Sequence, residues 1–379
     1  MARTTAEASR KIRIGGVGVG RGEGVWGLAG KDHRVSLVAV CDLDVEAHDR
    51  RGLSARNPSV EKLYNNFDKF LEHDMDAVMI CTPPHCHAPQ SIAALGAGFN
   101  VWSEIPIAST VQESKALVRA VRKTRKIYMS GENVCYDGMT DTWRQLVRDG
   151  RIGKPFYAEG EYMHDLRPIF PRRWHDKVFP EAPLGGPDTL TWRAQYYPIR
   201  YCTHEMGPLL KILDDRVTSV MCVDTGSNVS PETGTIDMAV AMMKTANGCL
   251  IKEMVGFSLA QAEGFHYYCM YGTKGCLETE RWGDGKTLAY FDDVPNLKSM
   301  MRLPVTSAPK KIYPGYVTGA GHGGCDGAMV LDFIDALAKG RPSPIDVYQG
   351  LDFTLPGILG VDSVKKGSVW LPVPDPRKW

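Results

Sequence analysis

Tyr201 and His204 stand three residues apart, directly before Gly207-Pro208 and the apolar series Leu209, Leu210, Ile212 and Leu213. On the first turn of a helix that spacing turns both side chains the same way. A phenol and an imidazole held together can pass a proton near neutral pH, where an unperturbed imidazole titrates. A helix-capping segment with a satisfied core histidine would show the same residues. Tyr162 and His164 alternate at the end of Phe156-Tyr157-Ala158-Glu159-Gly160-Glu161-Tyr162, a strand-like run, so they share one face of a sheet. There they are either a proton-transfer pair or an aromatic cross-strand contact.

Between Arg167 and Arg200 the chain is irregular, rich in proline and glycine, and holds Arg172, Arg173, Trp174, Trp192 and Arg193. A long loop of this kind is a lid or a binding loop. Arginine forks interleaved with tryptophans suit an anionic or hydroxyl-rich ligand, through paired hydrogen bonds and ring stacking. Solvated surface charge is the alternative for Arg172 and Arg173. Further on, His322-Gly323-Gly324 with Asp326 opens a helix whose core face is Met329, Val330, Phe333, Ile334 and Leu337, and an acidic residue there suits a helix cap.

The elements that must position these groups begin near the N-terminus. Lys11-Ile12-Arg13-Ile14 runs into Gly16-Val17-Gly18-Val19-Gly20-Arg21-Gly22, a strand entering a glycine-dense turn where backbone can approach a pyrophosphate. Gly18 and Gly20 fit the first two positions of a dinucleotide-binding turn and Glu23 takes the third, so a plain flexible turn competes. Val35 to Cys41 is a second apolar strand, and it ends in Asp42 at about the interval where a carboxylate binds the adenosine ribose and repels a 2′-phosphate. That favours NAD over NADP; a solvated turn is the other reading of Asp42 and Asp44. Asp76 to Cys81 is a continuously apolar strand stopped by Thr82-Pro83-Pro84-His85, a helical pattern from Gln90 to Gly98 follows, and Asn100 to Ser103 is a further strand before Glu104-Ile105-Pro106. The order strand, turn, helix, strand, helix, strand describes a doubly wound parallel sheet, which binds ligands at the carboxyl ends of its strands.

Composition sets bounds on this reading. A chain of 379 residues exceeds one core and predicts two domains. Lys plus Arg number 45 against 44 for Asp plus Glu, so no global field draws in nucleic acid or an anionic membrane. The ten cysteines include no CxxC pair, which fits reduced thiols in a cytoplasmic protein. No secretion signal is read in the polar stretch Met1 to Arg10, and no run approaches the roughly 20 apolar residues of a membrane span. His85-Cys86-His87 is read as cofactor lining, and no metal site is expected.

The glycine turn, Asp42, Thr82-Pro83-Pro84 with His85, Glu104-Ile105-Pro106 and Gly272-Thr273-Lys274-Gly275 together resemble the pattern of the Gfo/Idh/MocA oxidoreductases, from about Lys11 into the last helix. The resemblance implies an α/β protein with an N-terminal Rossmann domain, residues 1–131, and a C-terminal α/β domain, residues 132–379. The second domain would carry an open, mainly antiparallel sheet through which a homo-oligomer forms, with its last helices packing back on the first domain. It also implies NAD held by Gly18, Gly20, Arg21, Gly22, Asp42, Thr82, Pro83, His85, Glu104, Asn133, Trp192 and Arg193. Ordinary family dehydrogenases carry Glu-Lys-Pro; Ile105 stands in place of that lysine and cannot relay a proton or polarise a carbonyl.

Glu132-Asn133-Val134-Cys135-Tyr136, Tyr162-Met163-His164-Asp165-Leu166-Arg167, Trp192-Arg193, Tyr201-Cys202-Thr203-His204-Glu205-Met206-Gly207-Pro208 and His322-Gly323-Gly324-Cys325-Asp326 resemble the NAD-dependent glycosidases of glycoside hydrolase family 109. They are similar also to the NAD-dependent sulfoquinovosidases. This implies hydrolysis without net redox change: oxidation at sugar C3, elimination across C1 and C2, addition of water and re-reduction, with tightly held NAD recycled in each turnover. By the resemblance, Tyr201 and His204 serve the C3 hydroxyl and Tyr162 serves C2. Substrate contacts would come from His164, Arg167, Arg172, Arg173, Trp174, Arg200 and His322. The arginines favour an anionic glycoside, a sulfoquinovoside first and an N-acetylgalactosaminide second. Against this stand a sugar or cyclitol dehydrogenase that releases NADH and, in a different class, a non-catalytic NAD-binding sensor.

Overall fold

Short apolar strands buried on both faces need helices above and below them, and the first part of the chain provides both. The strands are Ile12–Val17 (β1), Val35–Cys41 (β2), Lys62–Tyr64 (β3), Ala77–Ile80 (β4), Asn100–Ser103 (β5) and Tyr128–Ser130 (β6). They form a parallel sheet in the order β3-β2-β1-β4-β5-β6. Helices Glu23–Ala29 (α1), Pro84–Gly96 (α2) and Val111–Thr124 (α3) connect the strands. Chain direction across the sheet reverses at the β1/β4 boundary, which opens a crevice at the carboxyl ends of those strands. This computed structural model describes residues 10–170, 190–261, 265–281, 286–305 and 313–379.

The second sheet is built on Pro155–Met163 (β7), with Val217–Asp224 (β8), Met238–Thr245 (β9), Leu250–Gly256 (β10), Phe265–Gly272 (β11), Gly275–Thr279 (β12), Thr287–Phe291 (β13), Met301–Arg302 (β14) and Leu371–Pro372 (β15). Among the described residues its order is β14-β13-β12-β11-β7-β10-β9-β8-β15. Every pairing is antiparallel except β7 with β10. Alternation divides β7 cleanly. Glu159 and Glu161 point to the outer face, paired with Lys252 and Arg281, and Gly160 and Tyr162 point inward.

After Gly138–Arg148 (α4), the helix Thr203–Leu213 (α5) packs against the inner face. The last long helices, Cys325–Lys339 (α6) and Val347–Lys365 (α7), return to the first domain: α6 lies on α1, and α7 lies on β8 as well as on α3 and β6. Polar ties fix the return. Arg34 bridges Asp32 at 2.8 Å and Asp335 at 2.7 Å, and the Ser343 hydroxyl donates to the Tyr128 carbonyl at 2.6 Å. None of the helices among the described residues is long and apolar enough to cross a membrane.

Trp102 on β5, fully buried, supports the two loops that carry Glu104 and Glu132. Gly131, just before Glu132, lies so close over its indole that a Cβ there would overlap the ring. Trp102→Ala should therefore cost about 3–5 kcal/mol of stability. Urea denaturation followed by circular dichroism measures this, and a loss under about 1 kcal/mol would mean that the loops do not rest on the indole.

Candidate active site

The cofactor end is set by β1 and the turn beyond it. Gly18 has φ +83°, and a Cβ there would stand 2.7 Å from the Cys81 carbonyl oxygen, so only glycine lets β1 and β4 close at this point. A Cβ at Gly22 would collide with the Gly18 carbonyl, whereas the space beside Gly20 is open. Asp42 braces the turn, its carboxylate accepting from the amides of Val19 at 2.7 Å and Asp44 at 3.0 Å. The amides of Gly20, Arg21 and Gly22 donate to no group among the described residues. Open space, free amides and a carboxylate at the end of β2 are the features a dinucleotide's pyrophosphate and ribose require, so the residues fit NAD.

Thr82 donates from its hydroxyl to Gln90 at 2.6 Å, and Pro83 stands at the N-cap position just before α2. His85 is exposed on the first turn of that helix. Its neighbour His87 is buried and spans the carbonyls of Thr82 at 2.6 Å and Pro106 at 2.8 Å, tying two cofactor loops together. Arg21 reaches Glu104 at 3.5 Å and Asp326 at 3.9 Å. Burial raises the Glu104 carboxyl above the ordinary range, with Arg21 opposing. Asp326 is no helix cap. Despite burial it is held below the ordinary range by His322, at 3.0 Å, and by Asn133, whose amide donates to it at 2.7 Å.

The second domain closes the other side of one cavity, lined by Arg21, Tyr162, His164, Trp192, Arg193, Tyr196, Tyr201, His204, Phe257 and His322 among others. Tyr201 ends a 3-10 turn and His204 lies in the first turn of α5. Their rings stand 5.2 Å apart, and Tyr162 lies 5.7 Å from Tyr201 and 5.5 Å from His204. The Tyr162 hydroxyl contacts His164 Nδ1 at 3.0 Å. Burial pushes the Tyr201 phenol up to about 12 and that of Tyr162 well above its ordinary value. Both are hydroxyl donors at neutral pH, Tyr162 on His164 and Tyr201 beside the ring of His204.

The free imidazole's near-neutral titration does not survive at His204. Burial, then the neighbouring His266, push it down to about 3, so the ring is neutral. Its Nδ1 meets Glu132 Oε1 at 2.9 Å, and burial pushes that carboxyl up to about 8. The pair carries no net charge at neutral pH whichever atom holds the shared proton.

Two expected substrate contacts are elsewhere. Arg167 is clamped by Asp165, at 2.8 and 2.7 Å, and by the Leu259 carbonyl at 2.7 Å, outside the cavity lining. A carboxylate two residues away satisfies its fork before any ligand can. Arg200 donates to the Ser109 carbonyl at 2.7 Å and so joins the two domains instead of lining the cavity. Arg172, Arg173 and Trp174 lie outside the described residues. Trp192 and Arg193 do line the cavity, with the guanidinium 4.5 Å from the indole centroid. Sequence reasoning missed His266 and gave no role to Glu205 or Glu132. His266 pairs with Tyr162 across β11 and β7, stands 4.9 Å from its ring, and contacts Glu205 at 2.7 Å through Nδ1. The alternation of His266 with Tyr268 was the available signal.

Three family descriptions match: an oxidoreductase family, NAD-binding Rossmann fold, over residues 12–132; a GFO/IDH/MocA C-terminal domain over 140–278; and a glycosyl hydrolase 109 C-terminal domain over 310–378. A glycosyl hydrolase family 109 protein of Saccharopolyspora erythraea is 26% identical across 97% of this chain and 84% of its own length. A second such protein, from Phocaeicola vulgatus, is 27% identical across 96% of this chain and 77% of its own. Among solved structures, levoglucosan dehydrogenase with NADH and levoglucosan superposes with a TM-score of 0.79 at 19% identity, covering 96% of this chain and all of that one. Scyllo-inositol dehydrogenase from Lactobacillus casei, with bound NAD(H), gives 0.71 at 18%, covering 96% and 99%. At such identities these structures establish the fold. The chain belongs to the Gfo/Idh/MocA oxidoreductase family, with an NAD-binding Rossmann domain and a glycosyl hydrolase 109 C-terminal domain.

Proposed function

We propose that the protein is a redox-neutral, NAD-dependent glycoside hydrolase acting on a sugar that bears an anionic group. The observation that carries this reading is the convergence of Tyr162, Tyr201 and His204 on one cavity wall, within 5.2–5.7 Å of one another, opposite the cofactor turn. When bound, NAD supplies reversible hydride transfer at sugar C3. The chain supplies the proton carriers. The neutral His204 takes the proton of the C3 hydroxyl while Tyr201 donates its own O–H to that oxygen, and Glu132 behind His204 keeps the ring oriented and spreads the charge it gains. Tyr162 passes its hydroxyl proton to His164 Nδ1 as its oxygen takes the proton from C2; the aglycone then leaves C1 and takes a proton, water adds back at C1, and the C2 proton and the hydride are returned. Ile105, buried where ordinary dehydrogenases of the family have lysine, leaves this work to the second domain. Arg193 and Arg21, both in the cavity lining, favour a sulfonate or carboxylate, with a sulfoquinovoside the first candidate and an N-acetylgalactosaminide the second. On the same proposal, copies of the chain associate through the outer face of the second sheet, where Tyr271 is exposed.

Tyr201→Phe and His204→Ala should each lower turnover about 10²–10⁴-fold while NAD stays bound, as read from nitrophenyl glycoside cleavage and cofactor content. Near-normal turnover in either, with NAD present, removes that residue from the mechanism.

Arg193→Met should lower kcat/KM for an anionic glycoside about 10- to 100-fold, the scale of a lost hydrogen bond to a charged group, and change neutral substrates little. Equal losses on both substrate types would contradict the charge argument.

Elimination must exchange the C2 proton with solvent, and direct displacement at C1 must not. Hydrolysis in heavy water should therefore place deuterium at C2 of the released sugar, measured by mass spectrometry and NMR. Hydrolysed product without it excludes the route; stoichiometric NADH and a stable keto-sugar would identify a dehydrogenase instead.

A further inference from the structure

Beneath Tyr162 lie two acidic side chains that the mechanism above does not use. Glu205 and Glu253 are fully buried, and they meet over Gly160. A Cβ on Gly160 would stand 2.6 Å from Glu205 Cβ and 2.6 Å from Glu253 Oε2, so the absent side chain is what lets the two carboxyls share this space. Register places them there: Gly160 faces Glu253 on β10 and Tyr268 on β11, and Tyr162 faces His266 one pleat further along. Glu205 Oε1 is taken by His266 Nδ1 at 2.7 Å. Glu205 Oε2 and both Glu253 oxygens have no hydrogen-bond partner among the described residues.

Two unpaired charges cannot both persist in such a place, because the desolvation cost of each is large and adjacent carboxylates repel. The carboxyl without a cationic neighbour keeps its proton. Around Glu253 stand Glu205, Glu161 and Glu159, and burial first, then these acids, hold it protonated well above the ordinary carboxyl range. Around His266 stand Glu205 and His204 from α5, Glu132 and Asp137 from the segment after β6, Tyr162 and His164 from the end of β7, and Tyr268 on its own strand. Of these, Glu205 alone is in hydrogen-bond contact with the ring among the described residues.

We propose that Glu253, Glu205 and His266 form a positioning chain, in which a neutral Glu253 donates its O–H to the Glu205 carboxylate and that carboxylate fixes the Nδ1–H form of His266 against the ring of Tyr162. Glu205 is thereby satisfied on both oxygens, and the wall behind Tyr162 is a hydrogen-bonded unit anchored in the sheet. No proton is gained or lost by the chain. It acts on turnover through the placement of Tyr162, and in this respect it rests on the reading of Tyr162 as the C2 base.

Infrared difference spectroscopy of the NAD-loaded protein at neutral pH tests the chain without reference to activity. Subtracting Glu253→Gln from the unaltered protein should leave the C=O stretch of a protonated carboxylic acid, and subtracting Glu205→Gln should leave the bands of a carboxylate. The reverse assignment, or a carboxylate signal from both, overturns the proposal. Kinetics add a second readout. Glu253→Leu should lower kcat about 10-fold or more with KM unchanged, and Glu253→Gln, which keeps a neutral donor, should restore most of that loss. A Leu variant that keeps NAD and turns over normally, or a Gln variant as impaired as Leu, also overturns it. Should no glycoside be cleaved, the function proposed above fails while the infrared assignments still decide the chain.

Discussion

The contact between Glu132 and His204 is the constraint on which the site depends. Glu132 follows β6, the last strand of the first sheet, and His204 opens α5, the helix laid across the second. A buried carboxyl and a buried imidazole each lose hydration, and neither is tolerable there as an isolated charge. Placed 2.9 Å apart they share a proton and remain neutral as a pair, which ties the segment after β6 to the helix laid on the second sheet. Trp102 below the Glu132 loop and α7 across β6 and β8 exist, in this sense, to keep that distance.

Residues whose partners are near in sequence, or whose environment is a repeating element, are legible in the sequence alone. Four of the six parallel strands, β1, β2, β4 and β5, announce themselves as short runs in the sequence, whereas the three-residue β3 and β6 do not, and the glycine turn with Asp42 is recognisable because strand, turn and carboxylate follow in order. Tyr162, Tyr201 and His204 were legible by spacing, and the cavity does bring them together. Arg167 and Arg200 stand outside the cavity lining for opposite reasons. Asp165 lies two residues from Arg167, close enough to capture it locally, a competitor that the loop's composition concealed. Arg200 is spent on a carbonyl from the other domain, which no local pattern could announce.

His266 and Glu205 were not legible because their meaning is created by register. They are 61 positions apart, and only the antiparallel pairing of β11 with β7 sets the imidazole beside Tyr162 and within reach of α5. The same holds for Gly160. In sequence it is one more glycine in a strand, yet in the fold it is the gap that admits two carboxyls. Side chains that act through others are the hardest to find from sequence, since spacing reports what a residue could do and not what it must support.

The charge distribution of the finished site follows from these pairings. The acids nearest the reacting groups are held neutral or matched: Glu132 by burial against His204, and Asp326 by His322, Asn133 and Arg21. The phenols of Tyr162 and Tyr201 stay protonated. Arg193 lines the cavity with its guanidinium over the face of Trp192, an arrangement that holds the fork in place without neutralising it. A cavity whose proton carriers are neutral offers surroundings where a proton can be taken and returned without building net charge, and Arg193 adds a cationic group to its lining. Under the function proposed above, such a wall suits chemistry that ends in the redox state in which it began, because neutral carriers can give back each proton they take.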